Sequence, residues 1–318
     1  MIEYIMKKVL SLTISALLLY VPKDKVLKEM AAIPGMEERV AGVDLKGWRL
    51  EKAASERTGM THYYYHYRPA NPAARMMVCI HGFNTDGRVF LNVSELSDRF
   101  ELVAYNLPEE SPYYTGTMSD FTVILNDFLQ VIGADTVVFA ANSMGGAVVM
   151  HYCASNPAVT VEGLVLLSTA VFGATAEDSR RYRGMADKLL PYEDYKLYYL
   201  LEKGQSIVGR LERAGLGDNA PGDAIVTKRI GWYRQVLSAL YDYNGADDAR
   251  KISCPVIAIH GSADKVIAPA SARTITQFIP QARLYFLDGV GHSMVYSDAR
   301  AVAEKIRGFI TTQAVTAR

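Results

Sequence analysis

The 318-residue chain balances 34 basic against 34 acidic side chains, so it has no net charge with which to attract a polyanion, and nucleic acid is excluded as a partner. Half of the residues are hydrophobic, which excludes a disordered protein and predicts one large α/β domain or two smaller ones. The three cysteines lack the spacing of a zinc or redox motif, so we expect no disulfide framework and favour a reducing compartment.

The N-terminal segment, residues 1–22, combines lysines with a short apolar run. Lys7 and Lys8 precede thirteen uncharged residues, Val9–Val21, which Pro22 closes. A bilayer core needs about twenty apolar residues, and no small-x-small cleavage site follows the run. Three interpretations remain: a membrane-associating helix, a removed signal, or a helix buried in a soluble protein. We expect the protein at a membrane surface, reached through residues 2–21, or in the cytoplasm, rather than secreted.

From residue 48 onward, strands and helices alternate. Trp48–Ala53 and His62–Tyr67 are predicted to form a hairpin. Short apolar runs typical of strands buried on both faces then alternate with helical patterns. The strands are Met76–Ile80, Glu101–Leu107, Thr136–Ala141 and Gly163–Ser168, and the helices are Arg88–Arg99, Thr117–Ile132 and Ala147–Ala154. This alternation predicts an α/β fold with a mostly parallel, doubly wound sheet.

The alternation stops between Thr169 and Lys251, where tyrosines cluster around Trp232. Helical patterns at Leu189–Lys203 and Ala224–Tyr243 flank a stretch rich in Gly, Asp and Pro, 215–223. We predict a helical cap at residues 170–251, whose tyrosines form its core or line a pocket. The sheet then resumes, so the core comprises residues 23–169 and 252–318. Its last elements are strands Cys254–His260 and Ala282–Leu287 and helices Pro269–Phe278 and Ser297–Ile310.

A sharp turn, Ala-Asn-Ser-Met-Gly-Gly at 141–146, connects the Thr136–Ala141 strand to the helix that follows. Such a turn strains the backbone of its corner residue, here Ser143, and presents the side chain as a nucleophile. Strand and helix nearly collide there, so the flanking residues must be small, as Ala141 and Gly145 are. The other interpretation is that Ser143 only caps the helix.

A serine nucleophile needs a base, and the base needs an anion to orient it. Asp264 and His292 each follow the carboxyl end of a predicted strand, where the binding crevice of an open α/β sheet lies. Asp288, four residues before His292, is the rival acid. We prefer Asp264 because of its position at the strand end.

Four strings in register carry a family resemblance: His81-Gly82-Phe83, Asn142 to Gly146, Gly261 to Asp264, and Gly291-His292. On these strings the chain resembles the α/β-hydrolase superfamily from about residue 48 to the C-terminus. The resemblance implies Ser143 as nucleophile, Asp264 as orienting acid and His292 as base. It also implies an oxyanion hole made by the backbone N–H groups of Phe83 and Met144, with His81 as a structural residue of that turn.

Differences between this sequence and related families reduce the number of reactions that the resemblance implies. Haloalkane dehalogenases and epoxide hydrolases of this fold use Asp where Ser143 stands. The string at 142–146 is similar to that of carbon–carbon bond hydrolases, but Ser293 stands where those enzymes carry Trp. The resemblance therefore implies a serine carboxylic-ester hydrolase of the monoacylglycerol-lipase kind, acting on an amphiphilic or lipid-like small-molecule ester. Acyl transfer, carbon–carbon cleavage with the same triad, and a non-catalytic binding protein remain as alternatives.

Neither a cofactor nor a metal is expected. Four further histidines, His62, His66, His151 and His260, have no metal-ligand spacing with a carboxylate or with each other.

Overall fold

The computed structural model describes residues 21–69, 71, 74–155, 157–202 and 227–316, with residues 310–316 described by backbone only. The predicted apolar run at 9–21 therefore lies outside the described residues except for Val21, and so does the stretch 215–223. Among the described helices, none is both long enough and apolar enough to cross a bilayer.

The described residues form an eight-stranded sheet with the order β1-β2-β4-β3-β5-β6-β7-β8. Strands β1 and β2 form an antiparallel hairpin, β2 is antiparallel to β4, and the other neighbouring strands are parallel. The predicted hairpin and mostly parallel sheet are confirmed. The strands are β1 (Arg49–Ala54), β2 (Thr61–Tyr67), β3 (Arg75–Ile80), β4 (Phe100–Asn106), β5 (Thr136–Asn142), β6 (Thr160–Leu167), β7 (Val256–Gly261) and β8 (Arg283–Leu287).

Helices cover both faces of the sheet. The central strands therefore have apolar side chains on both faces. Val78 of β3 packs in one buried cluster with Phe121, whereas its neighbour Cys79 packs in another with Phe90 and Val302. Successive side chains of a strand point to opposite faces, so both faces of β3 are buried. The helices are Lys23–Ala31, Met36–Val40, Met118–Val131, Met144–Ala154, Ala176–Leu189, 194–202, Ile230–Tyr241, Gly245–Ala249, Pro269–Ala272, Thr274–Phe278, Met294–Ser297 and Ala299–Thr316, with a 3₁₀-helix at Gly87–Asp98.

The elements that the structure describes between β6 and β7 are helices, but two predicted helix starts are wrong. The helix expected over Ala224–Tyr243 begins only at Ile230, after the non-helical residues 227–229. A helix was expected to begin at Leu189; instead, Ala176–Leu189 ends there and a second helix occupies 194–202. Thr175 caps the unpredicted helix by accepting a hydrogen bond from Asp178 N (3.1 Å), and Pro191 prevents its continuation. Its sequence is mostly charged and polar, and only Ala186 is fully buried among the apolar side chains at helical spacing, which are Tyr182, Met185, Ala186 and Leu189.

Candidate active site

Ser143 occupies a strained corner between β5 and the helix Met144–Ala154. Its backbone lies at φ 52° and ψ −122°, and residues other than glycine rarely adopt such a positive φ. Such a conformation costs roughly 1–3 kcal/mol and persists only when surrounding bonds enforce it. Here Ser143 N donates to Leu167 O (2.9 Å), and Thr169 Oγ1 donates to Ser143 O (2.8 Å). Strand β6 and the residues after it therefore hold the turn that exposes the side chain.

Two glycines after the serine allow the helix to approach the sheet. A methyl group on Gly145 would collide with the Ile80 carbonyl oxygen and lie 2.8 Å from that of His81. One on Gly146 would lie 2.5 Å from Thr169 Oγ1. The helix could not start at this point with larger residues, as the sequence pattern predicts.

His292 and Asp264 form a hydrogen-bonded pair beyond the ends of β8 and β7. His292 Nδ1 lies 2.8 Å from Asp264 Oδ2, while Oδ1 accepts hydrogen bonds from Val266 N (2.8 Å) and Ile267 N (2.9 Å). The carboxylate is buried, with 4% of the residue exposed. Because a carboxylate accepts the Nδ1 proton, the neutral imidazole carries its lone pair on Nε2, the atom that a general base uses.

The loop that carries His292 packs closely against β7, which fixes its position. A side chain on Gly261 would collide with the carbonyl oxygen of Val290, and Ala263 N donates to that same oxygen (3.0 Å). The rival acid Asp288 instead accepts a hydrogen bond from Ser262 Oγ (3.0 Å). The loop thus brings His292 to Asp264 and leaves Asp288 at the surface.

The structure does not join Ser143 to His292. Both side chains are half-buried at the same edge of the sheet, but the Ser143 hydroxyl makes no hydrogen bond to any residue that the structure describes. Bonds between nucleophile and base are often long in unliganded enzymes and shorten when substrate binds. The structure therefore contains the hydrogen-bonded pair of His292 and Asp264, with Ser143 in a separate strained turn at the same edge of the sheet.

The turn after β3 lies directly against the serine. A methyl group on Gly82 would be 3.1 Å from Ser143 Cβ, so the next residue, Phe83, follows at the mouth of the site. Trp232, fully buried in the helix Ile230–Tyr241, donates from Nε1 to Phe83 O (2.8 Å). The Phe83 ring meets Tyr233 edge-on at 5.5 Å. The tryptophan and tyrosine between β6 and β7 thus help to fix the turn that carries the Phe83 peptide.

His81 holds the same turn from inside. Its Nε2 accepts a hydrogen bond from Leu107 N (3.1 Å), so the proton resides on Nδ1, which donates to Gly82 O (2.7 Å). Complete burial, together with the nearby Lys228 ammonium, lowers the pKa of His81 to about 3. The ring stays neutral and both its nitrogens bind backbone groups, which is the structural role expected from the sequence.

A second histidine contacts the acid, which the sequence analysis did not foresee. His260 Nε2 lies 3.2 Å from Asp264 Oδ2 and 3.0 Å from Ile267 O, and its buried Nδ1 has no partner within the described part of the chain. Burial lowers its pKa. The available sequence signal was its spacing, four residues before Asp264 at the end of a strand, which brings the two side chains together in this turn.

This fold and turn geometry agree with the comparisons to known proteins. A sequence profile of the alpha/beta hydrolase family matches residues 77–305, and the chain belongs to this family and is a hydrolase. It is 23% identical over 260 residues to Lipase 3 of Moraxella sp. (strain TA144), covering 75% of this chain and 78% of the relative. It is 22% identical over 269 residues to monoacylglycerol lipase abhd6-A of Xenopus laevis, covering 77% of each.

The solved structures share the fold at lower identity. A hydrolase from Pseudomonas aeruginosa PA01 superposes with a TM-score of 0.65 at 18% identity, over 82% of this chain and 98% of that one.

Proposed function

We propose that the protein cleaves carboxylic esters through an acyl-enzyme intermediate on Ser143. The observation that carries this proposal is the bond between His292 Nδ1 and Asp264 Oδ2 (2.8 Å), at the sheet edge where the strained turn presents the serine. A histidine oriented by a buried carboxylate, at the edge of the sheet that also carries a serine in a strained turn, supports nucleophilic catalysis by that serine.

In the proposed reaction, Ser143 Oγ attacks the ester carbonyl while His292 Nε2 accepts its proton. The resulting oxyanion receives hydrogen bonds from the amides of Phe83 and Met144, each of which stabilises the transition state by roughly 3 kcal/mol. His292 then gives the proton to the departing alcohol. Water attacks the acyl-serine with the same proton transfers, and it releases the carboxylic acid and regenerates Ser143. Substrate entry brings His292 Nε2 within hydrogen-bond distance of the hydroxyl.

For the substrate, we propose an amphiphilic acyl ester. The two relatives described above are named as a lipase and a monoacylglycerol lipase, and both align with about three-quarters of this chain. The helix that contacts the Phe83 turn contributes aromatic side chains, Trp232 and Tyr233, to the same region. Both of these rings are fully buried, so the half-buried Phe83 is the member of this aromatic group that remains to contact an apolar acyl chain.

A panel of p-nitrophenyl esters with acyl chains of increasing length tests the proposal. We expect turnover by the wild-type protein and a fall in kcat/KM of about 10³-fold or more in Ser143→Ala, since the nucleophile is lost. Ser262→Ala is the matched control, because that hydroxyl binds Asp288 rather than the paired His292. Undiminished turnover in Ser143→Ala would refute the assignment. Added alcohol separates hydrolysis from acyl transfer, because a transferase forms a new ester.

We also propose that residues 1–22 bring the enzyme to a membrane surface. The helix Lys23–Ala31 that follows them exposes three lysines, Lys23, Lys25 and Lys28, that suit anionic headgroups. Its Val26 packs against Tyr198, which lies between β6 and β7. Sedimentation with vesicles containing anionic lipid should recover the full chain and leave a variant lacking residues 1–22 in the supernatant. Equal recovery of both proteins would contradict the proposal.

A further inference from the structure

A second serine, histidine and aspartate are hydrogen-bonded in a row outside the site described above. Ser119 Oγ lies 3.0 Å from His151 Nε2, and His151 Nδ1 lies 2.7 Å from Asp248 Oδ2. The three side chains come from the helices Met118–Val131, Met144–Ala154 and Gly245–Ala249. His151 lies eight residues beyond Ser143 on one helix, which separates the two sites by roughly 12 Å along the axis.

The direction of each bond in this row follows from the carboxylate. Asp248 can only accept, so it takes the Nδ1 proton of a neutral His151 and leaves the lone pair on Nε2. That lone pair faces Ser119, whose hydroxyl must then donate. A serine that donates to a carboxylate-oriented imidazole has the bonding pattern of an activated nucleophile.

The base and acid are sheltered, whereas the serine is open to reagents. The side chains of His151 and Asp248 are 18% and 11% exposed, and Ser119 lies at the surface. The ring of Tyr243 stands edge-on to that of His151, with centroids 5.9 Å apart at 88°. The Tyr243 hydroxyl also hydrogen-bonds Asp248, and burial raises the pKa of this phenol. These contacts hold the imidazole in one orientation.

The helix that carries Ser119 begins at Met118, so its first backbone amides lie next to this serine in the chain. Ser119 is the second residue of its helix, so its own N–H and that of Met118 fall in the first turn, where a helix offers no acceptor. The helix N-terminus also favours negative charge. Asp120 binds the amides of Thr115 (2.7 Å) and Gly116 (2.9 Å), which holds the preceding loop in place.

We propose that Ser119 is a second reactive serine, which accepts an acyl group from activated aryl esters and a phosphonyl group from fluorophosphonates. With an aryl ester, a bond forms between Ser119 Oγ and the carbonyl carbon, and the bond from that carbon to the aryl oxygen breaks. The hydroxyl proton passes to His151 Nε2 and then to the departing phenolate, so acyl-Ser119 and a phenol result. With a fluorophosphonate, a bond forms between Ser119 Oγ and phosphorus, the P–F bond breaks, and fluoride leaves while His151 Nε2 takes the hydroxyl proton. This site does not depend on the function proposed for Ser143.

A fluorophosphonate probe on the Ser143→Ala protein tests the proposal. Trypsin leaves both serines on one peptide, because no Lys or Arg lies between Arg99 and Arg180, so chymotrypsin is used to cut after Tyr114 and Phe121. We expect the label on the short peptide that contains Ser119. It should disappear in Ser143→Ala/Ser119→Ala, which removes only an exposed hydroxyl, and its rate should fall tenfold or more in Ser143→Ala/His151→Gln.

Ser155 provides the matched control. Its hydroxyl donates to the backbone carbonyl of His151 (2.7 Å) rather than to the imidazole, so Ser143→Ala/Ser155→Ala should label at an unchanged rate. Circular dichroism verifies that each variant is folded, and Asp248→Asn, which should slow labelling, repeats the test without altering the histidine. An unlabelled Ser119, or labelling at the same rate in the folded His151→Gln and Asp248→Asn variants, overturns the proposal. Loss of ester turnover in Ser143→Ala bears on the other site alone.

Discussion

His260 and His292 approach the same oxygen of Asp264, at 3.2 and 2.8 Å from Oδ2. Two loop amides bind the other oxygen, so this buried carboxylate is fully engaged. Because His260 is buried and its pKa is lowered, it stays neutral; its Nε2–H group donates to Ile267 O and faces Asp264 at 3.2 Å without adding a charge. The strength with which Asp264 attracts a proton on His292 therefore depends on a histidine from the preceding strand.

Replacing His260 should alter the pH profile of the enzyme. His260→Ala removes the N–H group that binds Ile267 O and faces Asp264 Oδ2, so the carboxylate is less stabilised and holds the protonated form of His292 more strongly. The acid limb of kcat/KM should then move to higher pH, and the maximum rate should fall about tenfold. His260→Gln places an amide N–H near the position of Nε2 and should restore most of the wild-type profile. Identical profiles in all three proteins would show that His260 has no positioning role.

Exchanging the two carboxylates for amides distinguishes the orienting acid from its neighbour. Asp264→Asn should lower kcat by about 10⁴-fold, because an amide can donate to His292 and so favours the wrong tautomer. Asp288→Asn should leave kcat within about twofold of wild type, since Asp288 binds Ser262 at the surface. The assignment would be wrong if ester turnover were more sensitive to the change at Asp288.

Removing the indole donor of Trp232 should weaken the turn that carries the Phe83 amide. Trp232→Phe keeps most of the ring and loses the bond to Phe83 O (2.8 Å), so we expect about tenfold lower kcat and roughly 1 kcal/mol less stability.

Trp48→Phe is the matched control for this change. Trp48 is also buried, and its Nε1 donates to Leu91 O (3.1 Å), in a different part of the protein. A similar loss in the free energy of unfolding with unchanged kcat should result. Equal losses of kcat in both variants would mean that the effect comes from stability rather than from the Phe83 turn.

Three buried histidines make folding sensitive to mild acid. Burial lowers the pKa values of His62, His81 and His260, whereas in the unfolded chain they return towards 6.5. Below that pH the unfolded chain binds protons that the folded protein excludes. The free energy of unfolding should therefore fall as pH decreases, by up to about 1.4 kcal/mol per pH unit for each histidine. Urea unfolding at pH 7.5, 6.5 and 5.5 measures this slope, and constant stability over that range would contradict the prediction.

Carboxylates extend the same trend at lower pH. Burial opposes ionisation of Asp127, but hydrogen bonds from Thr58 and His62 outweigh it and lower its pKa to about 2. For Glu109, burial is likewise outweighed, by Arg39 and Lys228, and the pKa is also about 2. Both groups stabilise the folded state above their unfolded pKa values, near 4, and that contribution is lost as pH falls towards 2. Proton uptake on unfolding by these two groups should consequently be greatest between about pH 2 and pH 4.

The pattern of apolar and small residues along the sequence was sufficient to predict the parallel sheet and the turn at Ser143. Both depend on local chemistry: apolar runs long enough for buried strands, and small residues where strand β5 meets a helix. The helix Ala176–Leu189 was missed because its sequence is mostly charged and its short apolar stripe, Tyr182 to Leu189, contains a single fully buried residue, Ala186. The end of this helix before Pro191 could have been predicted, since proline disfavours a helical conformation in the residue before it.

The sequence by itself determined the order of the strands and helices and placed Ser143, Asp264 and His292 at strand ends, because hydrophobic periodicity and turn chemistry act over a few residues. Only the tertiary structure decided which side chains meet: Asp264 rather than Asp288 on His292, His260 on the same oxygen, and Ser119 on His151. These bonds join positions up to 97 residues apart, as for His151 and Asp248. Their formation depends on how loops and helices pack against the sheet, to within a fraction of an ångström, and no local pattern encodes that distance.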